Sequence, residues 1–596
     1  TQSFASIVDQ PFTVAGVNVD STWGGAIDVN AALTVTGNLV LASGSMGGPG
    51  AVSVAGKASS WTGGTIFPGS GGWTNKGSLT IDTSKGNLGL FTPLSAWLGD
   101  GNANDSGLNG NNGTLQGGAT FASGITGQAF SFNGSTGYVQ AANTPLWGYG
   151  TNDFTVNLWV NFKTVPSSTV GNPGDVFIGE DNGGGSQNKW FFALGGGDLN
   201  FHINNTSGIS QFIDQTPFTP NLNQWYDLAV TRSANTFTIF VNGVAAGSQT
   251  NSTPIPTGIT APLTIGTAEG LGYVNGLEDD IAVYNRALSA TDIQSMMNGQ
   301  GAGTLANSSI INVGGSNSLF LGNGATLNNA KGAKFNLTAD ANVSNFIASA
   351  FTNAGTLSKI KGTGTSTIAT ALSNTGTVSV KTGTVAIAGS VAQVSGSTLT
   401  AGAWNVTGSG TVHATLDISS AGTLTTLGSH AKVALSGLNS AFTNLSGLTT
   451  IDAGGSFSLL GGQSFTTVGD FTNNGKLTLS PGSMLSVAGS FTQISTGTLT
   501  DQVKTINSTT TEGEIKTGAS GTVRLGGKLV LAVLGSGLSP LNVPFTILDD
   551  GDTSNSISGA FSNLPAEGST ITVGGHTYKI SYVGGDGNDV TLTRIS

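Results

Sequence analysis

Phe351-Thr352-Asn353-Ala354-Gly355-Thr356-Leu357 is followed 21 residues later (351 to 372) by Leu372-Ser373-Asn374-Thr375-Gly376-Thr377-Val378. The same order of an aromatic residue or Leu, then Thr/Ser-Asn, then Gly, then an alternating strand recurs. It stands at Trp73-Thr74-Asn75-Lys76-Gly77-Ser78-Leu79 and at Phe471-Thr472-Asn473-Asn474-Gly475-Lys476-Leu477. Weaker copies begin at Phe442 and Phe491. A period of about 20 residues holding two or three short strands is the pattern of a stacked solenoid, in which each rung covers the apolar face of the next. Asn and Gly in the repeat are expected to supply left-handed, tight corners. Residues 302–500 contain one proline, Pro481, as strands that donate hydrogen bonds to both neighbours require.

Composition narrows the classes. Gly 93 in 596 residues is about twice the usual share, and charged residues at 9% are about a third of it. Hydrophobic residues at 37% and a mean hydropathy of +0.10 exclude a disordered chain. Apolar runs such as Leu529–Leu534 are far too short to span a bilayer as a helix, so membrane insertion is not expected. Cys 0 removes disulfides and thiolate metal sites. A start at Thr1 with no charged-then-apolar leader, together with few Lys and Arg, suggests an exported, extracellular chain whose signal was removed.

Charge divides the chain. Residues 93–301 hold fourteen acids and four bases (Lys163, Lys189, Arg232, Arg286), hence −10 of the net −11. An acidic module in a nearly neutral scaffold disfavours nucleic acid and anionic membrane, which need a basic face. It suits cations or neutral polar ligands. Acids that only keep a module soluble fit equally well.

Within that module Phe154-x-Val156-x-Leu158-x-Val160 and Leu228-x-Val230 alternate as strands of a sandwich. Asn242-Gly243 marks a hairpin turn and Ser289 a helix cap. Trp159 and Trp225 sit in strand patterns and are read as core, whereas Trp147 and Trp190, beside Gly- and Asn-rich loops, are candidate ligand platforms.

Leu94-Ser95-Ala96-Trp97-Leu98-Gly99-Asp100-Gly101-Asn102-Ala103-Asn104-Asp105 leads to Gln128-Ala129-Phe130-Ser131-Phe132-Asn133-Gly134 and Phe154-Thr155-Val156-Asn157-Leu158-Trp159-Val160. Gln224-Trp225-Tyr226-Asp227-Leu228-Ala229-Val230 follows, and Gly276-Leu277-Glu278-Asp279-Asp280-Ile281-Ala282-Val283-Tyr284-Asn285-Arg286-Ala287-Leu288-Ser289 closes the module. In order and spacing this resembles a laminin G-like jellyroll of the concanavalin A-like lectin superfamily. The resemblance implies calcium at one edge, held by Asp105 with Asn109 and Asn112 of its loop and by Asp279 and Asp280 of the closing strand, all oxygen donors of the kind calcium takes. A structural Asn/Asp turn without metal is the alternative. The repeats resemble the stalks of bacterial autotransporters and surface adhesins.

The expected fold is all-β: a right-handed parallel β-helix with an inserted concanavalin A-like jellyroll β-sandwich. Its segments are 1–92 (N-terminal rungs), 93–301 (jellyroll, hung from a rung turn because its ends lie close together), 302–510 (main stalk) and 511–596 (β-rich cap). In the cap, Gly584-Gly585-Asp586-Gly587-Asn588-Asp589 reads as a tight hairpin turn. The expected function is calcium-dependent, lectin-like adhesion to a glycan or surface protein. End-to-end assembly into a fibre, with Phe4–Val14 pairing to another copy's edge, is the alternative. Polysaccharide cleavage is disfavoured, since residues 302–500 hold four acids (Asp340, Asp417, Asp452, Asp470), no Glu and no Arg.

Overall fold

In the computed structural model the described residues are 6–23, 26–85, 88–166, 174–185, 187–268, 270–297, 303–322, 324–346, 349–551 and 557–596. Phe4 and Ala5 of the suggested pairing segment lie outside them. The protein is all-β, and none of its described helices is long and apolar enough to cross a membrane. It forms two compact units. One comprises Thr1–Ala306, Ser318–Leu327 and Asn345–Ser349; the other comprises Asn307–Asn317, Asn328–Ser344 and Ala350–Ser596.

The first unit begins with short strands in three parallel sheets. Phe12 pairs with Leu33, Leu33 with Val52 and Val52 with Trp73; Val17 with Leu39, and Ser59 with Leu79, repeat the relation in a second sheet. In the third, Thr65 pairs with Ser45 and Gly89. Alternate residues such as Leu33, Val35, Val52 and Val54 point inward and are buried. Leu88 pairs with Leu319, so the neighbour of Leu88–Leu90 comes from beyond the module and the intervening chain is an insertion.

That insertion is a sandwich of two antiparallel sheets. One runs, in spatial order, Thr120–Ser123, Gln128–Asn133, Asn275–Tyr284, Phe154–Phe162, Trp225–Ser233, Thr236–Val241 and Val244–Thr250. The other runs Gly113–Gln116, Tyr138–Ala141, Leu263–Ile265, Asp175–Asp181, Lys189–Gly195, Asp198–Asn204 and Ser210–Pro217. Leu158, Val160, Phe177, Phe192, Phe201 and Val230 belong to the core between them. Asn242 and Gly243 both take positive φ (49° and 72°), the requirement of the tight hairpin turn read from their dipeptide. Ser289 Oγ accepts from Asp292 N at 3.1 Å and opens the helix Ala290–Met297. The module is packed on the parallel strands of its own unit. Arg286 reaches Asp28 Oδ1 at 3.3 Å, lies 4.7 Å over the Phe67 ring, and Tyr284 stands 6.4 Å from the same ring.

The second unit repeats the parallel pairing: Ile310 with Lys334, Lys334 with Thr356, Thr356 with Thr377 and Thr377 with Ala403. It ends in antiparallel pairings of Pro544–Asp549, Asp589–Arg594 and His576–Gly584, the last two joined through the Gly/Asp-rich turn.

The repeat's Asn and Gly act differently from the corner role expected of them. None of Asn75, Asn353, Asn374 and Asn473 takes positive φ. Instead, in the second unit, Asn307 Nδ2 donates to Asn329 Oδ1 (2.8 Å), Asn329 Nδ2 to Asn353 Oδ1 (2.7 Å) and Asn353 Nδ2 to Asn374 Oδ1 (2.8 Å), a buried ladder along the stack. Gly376 is needed for room: a Cβ there would stand 2.2 Å from Gly355 O.

Candidate functional site

The closing strand Asn275–Tyr284 places the acids the sequence singled out. Opposite Phe154–Phe162 its register shifts between Asn157 and Trp159, a bulge at which Asp280 takes φ 48°. Asp279 Oδ2 accepts from Ile125 N at 2.8 Å, and Oδ1 from Asp280 N at 2.9 Å. Burial, then the neighbouring Asp280, raise its pKa to about 7; burial and then Asp100 do the same for Asp280.

The Asp105 loop is closed on itself. Asp105 Oδ1 accepts from Ala96 N (2.8 Å) and Gly107 N (2.7 Å), and Oδ2 from Asn111 N (2.7 Å). Asn112 Oδ1 accepts from Asp105 N, and Asn109 Nδ2 donates to Leu94 O. Asp105 and Asp279 oxygens thus accept backbone N–H groups, Asn109 donates to a carbonyl, and the Asp280 carboxyl feels the charge of Asp100. Among the described residues no three His, Cys, Asp or Glu side chains gather as a metal set. Asp105, Asp279 and Asp280 are not gathered as one set of ligands.

Trp147 and Trp190 are corrected outright. Both are 0% exposed and lie within the sandwich core, where Trp190 stacks on Phe201 at 5.8 Å. A ring closed in on all sides offers no ligand face. Within the module the tryptophans that do reach the surface are the two read as core, Trp159 and Trp225, each half-buried. Leu158 and Val160 point inward, so Trp159 between them points outward.

Around Trp159 the outer face is polar. Its cross-strand partners are Asp227 on one side and Asp279 on the other, and Trp225 pairs with Asn161 one step along the same face. Asn157 Nδ2 donates to Asp227 Oδ2 at 2.9 Å; Asp227 Oδ1 is buried with no partner. Burial raises the Asp227 pKa to about 7 against that hydrogen bond. Two partly exposed indoles can stack on an apolar ring face; Asn157 and Asp227 beside them are buried. Nothing in the residue types of 154–162 marks this except strand alternation.

The opposite sheet carries a second row on its own outer face. Phe191 pairs with His202 and His202 with Phe212, their rings 4.6 and 4.5 Å apart. One step along, Asp181 pairs with Lys189 and Lys189 with Asn204. Lys189 Nζ lies 3.3 Å from Asp181 Oδ1, both side chains nearly sealed from water.

Residues 133–294 match the Laminin_G_3 model of the concanavalin A-like lectin/glucanases superfamily, so a domain of that kind lies there. No curated protein matches the chain. Among solved structures it is similar to domain 4 of AbnA, a GH43 extracellular arabinanase from Geobacillus stearothermophilus, in complex with arabinotriose. That likeness has 19% identity and a TM-score of 0.28 and covers 34% of this chain and 97% of that one. It is also similar to the binding domain of Paraclostridial Mosquitocidal Protein 1 (18% identity, TM-score 0.29, 35% of this chain and 52% of that one). The binding domain of Botulinum Neurotoxin DC in complex with SialylT gives 16% identity, TM-score 0.29, and 35% and 51% coverage. The chain spans about half the length of these two toxin domains.

Proposed function

We propose that this chain is a secreted bacterial surface or matrix protein whose parallel stacks are β-helical stalk and whose jellyroll module attaches to glycan without cleaving it. The observation that carries the reading is the outer face on which the partly exposed Trp159 and Trp225 stand beside the buried Asp227, Asn157 and Asn161. The match of residues 133–294 to a lectin/glucanase family supports a saccharide as the ligand class. The module's excess of acids favours neutral over anionic glycans at long range.

Attachment in this reading needs no calcium, because the Asp105 and Asp279 oxygens are already engaged by backbone donors. A glycan array probed with the purified chain, with and without chelator, tests both parts. Binding that survives the chelator is expected. Loss on chelation returns calcium to Asp279 and Asp280, and an array with no bound glycan overturns the attachment reading.

A further inference from the structure

The second polar row of the jellyroll has an imbalance that the Trp159 face does not explain. Asn200 Nδ2 donates to Asp198 O at 3.2 Å, which leaves Asn200 Oδ1 buried with no partner, and Asn204 Nδ2 donates to Gly185 O at 2.8 Å while its side chain also meets His202. Asp181 Oδ1 accepts from Gly183 N and pairs with Lys189, leaving Asp181 Oδ2 unpartnered and buried. His202 Nδ1 is likewise unpartnered, in a residue 6% exposed. Cross-strand register puts Lys189 beside Asn204, Phe191 beside His202 and Ala193 beside Asn200, so these groups share one face of one sheet. Buried acceptors left open cost free energy that a folded protein ordinarily recovers through a bound donor.

We propose that this row is a second binding site, distinct from the Trp159 face, and that it takes a neutral, hydroxyl-rich ligand of the size of one or a few sugar residues. Two open oxygens, those of Asn200 and Asp181, call for donors, which hydroxyls supply and carboxylates do not. Lys189 and Asp181 cancel in their own pair, and Asp198, two residues before Asn200 on the same strand, adds only negative charge, so an anion meets no opposite charge there. Burial, and then Lys189, hold His202 neutral down to a pKa of about 4. Phe212, 49% exposed, forms the solvent-side end of the aromatic row and offers a face for the C–H side of a sugar ring. Gly183, Gly184 and Gly185, the last bonded to Asn204, have open space where a side chain would stand, so the approach past Asn204 is uncrowded.

The test is calorimetric titration of the full chain with neutral trisaccharides of glucose, galactose, mannose, xylose and arabinose, and with trigalacturonic acid. At least one neutral trisaccharide is expected to bind, with trigalacturonic acid at least about tenfold weaker, the scale of setting a charge against one unpaired buried acceptor. Phe212→Ala and Asn204→Leu are each expected to weaken that binding by about tenfold, while Gly410→Ala, in the second unit, leaves it in place. Phe212 is exposed enough that its variant keeps the fold, which circular dichroism checks. Equal binding of trigalacturonic acid, or binding indifferent to both variants, overturns the site. If Trp159→Ala alone abolishes binding, the attachment reading stands and this site falls. If no saccharide binds, both fall.

Discussion

Asn353 Nδ2 donates to Asn374 Oδ1 at 2.8 Å, and both side chains are buried to within 1% of full enclosure. The same Nδ2 also reaches Thr377 O at 3.0 Å, and Asn353 Oδ1 accepts from Asn329. Each rung thus satisfies the amide of its neighbour, and one missing member strands two groups. Asn353→Ala is expected to destabilise the second unit by about 1–3 kcal/mol, the cost of buried polar groups left open. Chemical denaturation of the full chain measures it, and Asn353→Asp, which loses the donor but keeps the size, should be no better.

Gly376 presents a steric version of the same requirement. Its Cβ would stand 2.2 Å from Gly355 O, whereas a Cβ at Gly410 meets nothing within 4 Å. Gly376→Ala is expected to cost about 3 kcal/mol, as overpacked interiors do, with Gly410→Ala near neutral. A pair of thermal melts decides it: similar midpoints for the two variants would mean that the rungs can separate to admit a methyl group.

These two residue types explain what the sequence could and could not say. The repeat of Phe351–Leu357 at Leu372–Val378 reported the parallel pairing, because identical spacing brings like residues into register. It did not report which way Asn353 points, since a buried amide and a corner amide look alike in one dimension. The Asn242-Gly243 turn was legible because its chemistry is local. Trp190 was not, because Lys189-Trp190-Phe191-Phe192 is apolar on both faces and hides its alternation. Trp159 was recoverable: Leu158 and Val160 facing inward leave it outside. The Phe191–His202–Phe212 row carries no local signal at all, being created by hairpin lengths that set the register.

Burial of carboxyls makes the module's stability fall as pH rises. Burial raises Asp175, Asp227, Asp279 and Asp280 to about 7 and Glu180 to about 8, and drives Glu278 well upward. The folded state therefore holds more protons than the unfolded state from the ordinary carboxyl range near 4 up to about 8. Stability is full below that window and is lost on passing upward through it. The melting temperature is expected to be higher at pH 5 than at pH 8. Glu180→Gln, which keeps an acceptor for Asn143 Nδ2, should flatten the upper end of the curve. A melting temperature that rises from pH 5 to pH 8 contradicts the assignment.

The two classes of tryptophan should separate binding from stability. Trp225→Ala removes a half-exposed ring and is expected to weaken glycan attachment by about tenfold with little change in melting temperature. Trp190→Ala empties the core and should cost about 3–5 kcal/mol. Binding isotherms and melts on both variants give the answer, and a Trp225→Ala protein with intact affinity removes that ring from the site.

Arg286 ties the module to the parallel strands of the first unit. Its guanidinium pairs with Asp28 at 3.3 Å, donates to Gly47 O at 3.4 Å and covers the Phe67 ring, reaching three successive rung strands at once. Burial raises the Asp28 pKa and Arg286 is the strongest influence lowering it again, so without the cation Asp28 faces desolvation unopposed. Arg286→Ala is expected to cost about 3 kcal/mol, as loss of one partner from a buried pair does. Because the loss falls at the join, the two segments should then melt separately. Calorimetry showing a new, earlier transition supports the tie; a single unshifted transition means that Tyr284 against Phe67 holds the module without it.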